Sequence, residues 1–103
     1  MKVNELTGAA LDWAVAQCEY VEVRYGFDDD CPEYSTNWSQ GGPIIERERI
    51  AIWINGNDDW TATDGIKTTT GETALIAAMR WYVASKMGDE IEVPDELMEG
   101  EEA

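Results

Sequence analysis

Apolar residues recur along this chain with two different periods, and the period decides which element each stretch can form. Between residues 6 and 19, Ala10, Leu11, Ala14, Val15 and Cys18 fall three or four positions apart, which gathers them on one side of an α-helix. Thr7 stands where its hydroxyl can cap the amino end, and Trp13 lies at the border of the apolar stripe. Residues 20–25 alternate instead: Val21, Val23 and Tyr25 share one face of a predicted strand, and Glu22 and Arg24 the other. Asp28, Asp29 and Asp30 repel one another in any regular element, and Pro32 lacks an N–H, so a solvated loop follows.

The densest strand signal covers residues 44–54. Ile50, Ile52 and Ile54 alternate there with Ala51 and Trp53, while Glu46, Arg47, Glu48 and Arg49 interrupt the pattern upstream. The polar run at residues 55–59 predicts a turn, residues 60–63 a short returning strand that completes a hairpin, and residues 64–71 a loop. A second helix starts at Thr73 as N-cap and carries Leu75, Ile76, Met79, Tyr82, Val83 and Met87 along one stripe. Lys86 sits in its last turn and Gly88 ends it. This order predicts an α+β fold: a small antiparallel sheet with two main helices packed on one face, forming one domain over residues 1–94. Ile91, Val93 and Leu97 offer late apolar anchors. Pro94 and the surrounding acids predict a disordered tail at residues 95–103.

Charge sharpens this picture. The 103 residues carry a formal charge of −15, and residues 89–103 hold eight acids with no Lys or Arg, which leaves −7 for the rest. Such a chain repels phosphate backbones at long range, so general nucleic-acid binding is not expected. No apolar run approaches the length of a membrane span, and the first residues lack the basic-then-apolar pattern of a secretory signal, so cytoplasmic residence is expected. Cys18 and Cys31 are then expected as free thiols.

The chain has no histidine, which removes the commonest general base and the commonest zinc ligand together. Neither cysteine sits where positive charge would lower its pKa. Asp28, Asp29, Asp30, Asp58, Asp59 and Asp64 do not follow the spacing of a calcium loop and read as turn residues, so no metal and no cofactor is expected. Gly41-Gly42-Pro43 reads as a tight turn and not a phosphate cradle, because it leads into a predicted strand and Pro43 supplies no N–H. The candidate site is the polar and aromatic stretch around it: Tyr34, Ser35, Trp38, Gln40, Gly41, Gly42 and Arg47, with Trp60 and Arg80 as neighbours. Indoles stack flat groups, and guanidinium forks match phosphate or carboxylate. The alternative is that Trp38 plugs the core and Arg47 pairs with nearby acids.

Three segments carry a family likeness. They are residues 6–16 (LTGAALDWAVA), residues 34–48 with Trp38 and the run from Gln40 through Gly41, Gly42, Pro43, Ile44 and Ile45 to Glu48, and residues 74–86 (ALIAAMRWYVASK). With residues 88–94 (GDEIEVP) they make the chain resemble the NinX-like proteins of tailed phages. The family has proline where this chain has Ala74, and residues 20–33 and 56–71 match poorly. The resemblance implies an accessory phage protein acting in the cytoplasm of an infected bacterium, and it implies no particular reaction. Joined to the aromatic and arginine residues, it leads to an expected role in capture of an anionic, nucleotide-derived host defence signal. An acidic inhibitor directed at a host protein and a metal-dependent phosphodiesterase stand as alternatives. A homo-oligomer would suit capture, since sites can be built between subunits.

Overall fold

The computed structural model describes residues 2–19, 32–56 and 59–93. The predicted strand at residues 20–25, the aspartate loop with Cys31, and the tail from residue 94 lie outside the described residues. A 3₁₀ turn at Val3–Glu5 leads into helix α1 (Gly8–Cys18). Helix α2 (Trp38–Glu48), strands β1 (Ala51–Ile54), β2 (Trp60–Thr63) and β3 (Thr68–Gly71), and helix α3 (Ala74–Met87) follow. The three strands form one antiparallel sheet in the order β1-β2-β3. The fold is therefore α+β with a small antiparallel sheet, as the periodicity predicts.

Helix α3 is the centre of the molecule. It lies against all three strands, and α1 and α2 pack on it in turn. A helix covered from both sides needs apolar or small residues almost all the way round. Ala74, Leu75, Ala77, Ala78, Met79, Trp81, Tyr82, Val83 and Ala84 are all buried, a far wider surface than the single stripe read from the sequence. The alanines allow close approach where longer side chains would hold neighbours apart. Thr73 caps the helix as expected, its hydroxyl accepting from Ile76 N–H at 3.1 Å, and Gly88 ends it at φ 89°. In α1, Ala10, Leu11, Ala14 and Val15 are buried and Trp13 packs at the core's edge. Thr7 makes no side-chain cap there.

Two segments differ from the reading of the sequence. Residues 38–48 are helical, whereas Gly41-Gly42-Pro43 predicts a turn and Ile44 the start of a strand. Local capping and packing outweigh the glycine and proline signals. The Asn37 side chain accepts from Ser39 N–H at 2.9 Å and Ser39 Oγ at 2.6 Å, which starts the helix. Gly41 and Ile44 are buried on one face, with Ile45 and Glu48 beside them, so the true period is helical. Pro43 forgoes one hydrogen bond to the Ser39 carbonyl, but both residues are exposed and water can replace it. Gly41 is required by packing: a Cβ there would overlap the Tyr34 carbonyl oxygen and come within 2.7 Å of Leu75 Cδ2. The chain then leaves the helix through Arg49 in the left-handed region, φ 56°, with Ile50 N–H closing on the Ile45 carbonyl at 3.1 Å.

The second difference is β3, which replaces the expected loop. Its threonines suit a pleated surface, and Thr69 is buried with its hydroxyl donating to the Ala77 carbonyl at 2.8 Å. Strand and helix come this close because Gly71 has no side chain; a Cβ would stand 2.7 Å from Ala77 N. The β1–β2 hairpin forms as predicted, with Ile54 opposite Trp60 and Ile52 opposite Ala62.

Candidate functional site

The capping of α2 places Trp38 at the first helical position, where its side chain is 55 % exposed and its ring runs alongside Gly42. Trp60 opens β2 opposite Gly71 and is half-buried. Between the two indoles lies the amino end of α3. Ser35, Thr36, Trp38, Trp60, Thr73, Ala74, Leu75 and Ile76 line a groove of about 410 Å³. Among the described residues, no charged side chain lines it. Its walls are apolar and aromatic, its polar atoms are hydroxyls and backbone groups, and the α3 dipole directs its positive end toward it. Such a groove can hold a flat apolar group between rings.

The groove has a rigid floor. Ser35 N–H donates to the buried Asp12 carboxylate at 2.8 Å, tying the turn before α2 to the middle of α1. Burial pushes the Asp12 pKa up, hydrogen bonding from Ser35 opposes this, and the Glu33 charge adds to the rise. The Ser35 hydroxyl, itself buried, stands within electrostatic reach of that carboxylate but short of a directed hydrogen bond. Asp12 therefore holds a loop in place and does not face the groove's contents.

Of the nine residues singled out from the sequence, Ser35, Trp38 and Trp60 meet here, and Gly42 lies under the Trp38 ring. Tyr34 and Gly41 are buried behind the groove, and Gln40 is exposed on the helix's outer side. The two arginines go elsewhere. Arg47 lies nine residues along α2 from Trp38, about 13 Å at the helical rise, so the two share no hollow.

The Arg47 guanidinium grips Glu19 through both Nη atoms, at 3.1 and 2.7 Å, while Nε donates to Glu48 at 2.9 Å and Nη2 also donates to Tyr82 Oη at 3.0 Å. It stacks 5.5 Å from the Tyr82 ring centroid, with Lys86 at 5.8 Å from the same centroid. These contacts raise the Arg47 pKa, above all through Glu19, and the Arg47 hydrogen bond lowers that of Glu19. Tyr82 donates to Glu19 as well, and burial together with Glu19 raises its pKa. Cys18 lies beside this cluster, its thiol pushed up to about 11 by burial and by Glu19. Arg80 bridges two backbone carbonyls, Leu6 through Nε and Thr70 through Nη1, each at 2.9 Å; its burial lowers its pKa, partly offset by Glu72. Both arginines thus hold the fold together.

Thr36 and the first residues of α3 complete the groove, and sequence reading missed them as site residues. Their only signal was Thr73 as a helix cap, which marks a helix end but not what faces it. Among the described residues, no three of His, Cys, Asp and Glu come close enough to hold a metal ion. Among the same residues, no helix is long and apolar enough to cross a membrane.

Fold and groove together define a small α+β protein whose central helix presents its amino end between two tryptophans. The chain belongs to the family described as Bacteriophage P22, NinX, whose profile matches residues 2–86. That span contains the whole of the groove and every element described above except the last residue of α3. Among curated proteins, none matches the chain.

Proposed function

We propose that this phage protein acts by binding, without turnover, and that the groove between Trp38 and Trp60 is its capture surface. The observation that carries this reading is an indole left more than half exposed beside a second indole, over a hollow that no charged side chain lines among the described residues. With Trp60 and the apolar groove wall, the exposed Trp38 ring makes a contiguous apolar patch of the kind that marks a binding surface. A nucleobase fits such a slot by stacking on the rings. A negative group on the same ligand would find its favourable field at the amino end of α3 and not at Arg47 or Arg80, which are engaged. In an infected bacterium the ligand class is a nucleotide-derived host defence signal, and capture would blunt that defence.

Tryptophan fluorescence and calorimetric titration against cyclic nucleotides and ADP-ribose derivatives test this. A binder should quench emission in the wild type, and Trp38→Ala should weaken binding at least about tenfold, the scale of losing one base–aromatic stack. If no member of the panel binds, nucleotide capture is wrong. A second reading is favoured by the exposed Trp38, Trp53 and Ile54 on a strongly acidic chain: inhibition of a basic host protein. Co-purification of such a protein, lost in the Trp38→Ala variant, would favour it over small-molecule capture.

A further inference from the structure

The two edges of the sheet are treated differently. In the hairpin, Asn55 N–H donates to the Asp59 carbonyl at 2.8 Å, so Asn55, Trp53 and Ala51 turn their backbone groups toward β2. Ile52 and Ile54 must then point theirs to the open side. By the same alternation Thr68 and Thr70 face outward from β3, and there the Thr70 carbonyl is taken by Arg80 Nη1 at 2.9 Å, beside the 3₁₀ turn that packs on this edge. No comparable group protects β1 among the described residues. Its sequence, Ala-Ile-Trp-Ile, has none of the lysine, proline or bulge devices that blunt exposed edges, and Trp53 and Ile54 are 48 % and 56 % exposed.

We propose that β1 is a strand-addition site and that its occupant is the β1 of a second copy of this chain, paired antiparallel about a twofold axis at Trp53. The outward groups select this register. Ile52 of one copy and Ile54 of the other exchange N–H to C=O bonds in both directions, and the twofold repeats the exchange. Trp53 then faces its own counterpart in the pair without hydrogen bonds, where side chains approach most closely and aromatic pairs are favourable. Ile52 and Ile54 pair on the opposite face, toward the helices, extending each core across the seam. Both copies keep their helices on the same side of a continuous six-stranded sheet.

Local charge leaves a second copy free to approach at this place. The chain carries −15, so two copies repel over most of their surfaces, but residues 50–55 contain no charged side chain. The seam is short beside the roughly 800 Å² per partner of a standard stable interface, so the pairing is a concentration-dependent equilibrium in the micromolar range or weaker.

Sedimentation velocity of the full chain from about 1 μM to about 500 μM should show the mass climbing from one copy toward two. Ile54→Pro removes an outward N–H and leaves the β1–β2 ladder intact, and Trp53→Glu opposes two carboxylates on the axis; each should keep the chain monomeric throughout. A covalent readout is independent of those variants' folding. With Cys18→Ser and Cys31→Ser in place, Trp53→Cys should cross-link two copies under mild oxidation about tenfold faster than Ile52→Cys, because only position 53 meets itself. A wild type monomeric over the whole range, a dimer that survives both variants, or equal cross-linking at positions 52 and 53 overturns the proposal.

Discussion

Replacing Gly41 and Gly42 one at a time separates a helix from a turn in the segment where sequence and structure disagree most. In an exposed Gly-Gly-Pro turn, alanine at position 41 would be tolerated. In the helix, alanine gains about 0.5–1 kcal/mol from propensity at either position. At position 41 the added methyl meets the Tyr34 backbone carbonyl, which cannot move aside, and Leu75 Cδ2 at 2.7 Å. Overpacking of this kind costs about 1–3 kcal/mol, and a backbone partner puts the cost toward the upper end. The net expectation for Gly41→Ala is a loss of about 1–2 kcal/mol, or about 4–16 °C in Tm at this domain size. At position 42 the methyl stands 3.5 Å from Trp38 Cε3, an ordinary contact. Crowding against the ring of Pro43 offsets the propensity gain there, so Gly42→Ala should change stability by no more than about 0.5 kcal/mol. Urea unfolding followed by circular dichroism measures both variants. A Gly41→Ala chain as stable as the wild type would refute the packing of α2 described here.

Three further outcomes follow from the same structure. Arg47→Met should lower stability by about 1 kcal/mol, the scale of a partly exposed ion-pair cluster, yet leave binding in the Trp38–Trp60 groove unchanged; weakened ligand binding without lost stability would return Arg47 to the site. Asp12→Asn keeps an acceptor for Ser35 N–H and removes the cost of burying a carboxylate. Because the folded pKa of Asp12 is raised, its ionisation opposes folding as pH rises from the unfolded value of 3.8 through the folded one. The variant's stability relative to wild type should therefore increase over that window and be flat below it; an advantage confined to low pH would reverse the assignment. At pH 8 the Cys18 thiol, shifted from 9.0 to about 11, should alkylate about a hundredfold more slowly in the folded Cys31→Ser chain than in the same chain unfolded in urea, since the thiolate reacts.

The groove was half legible in the sequence. Trp38, Ser35 and Trp60 stand out because a polar stretch with aromatics rarely serves the core alone, and the structure brings them together. Arg47 and Arg80 stand out by the same chemistry, and the structure spends them on Glu19, Glu48, Tyr82 and two backbone carbonyls. A guanidinium suited to a ligand is equally suited to a carboxylate 28 positions away. Spacing along the chain carries no information about which of the two it meets.

Period and capping, read locally, were enough to place α1, the β1–β2 hairpin and α3, because those signals act between residues three or four apart or across a short turn. The helical state of residues 38–48, the strand at residues 68–71 and the burial of α3 on nearly every side were decided by tertiary contacts. Gly41 reads as flexibility until Tyr34 lies against it, and Gly71 as a break until α3 does. A missing side chain is a turn signal in an isolated segment and a point of close approach in a packed one, and only the packing distinguishes them.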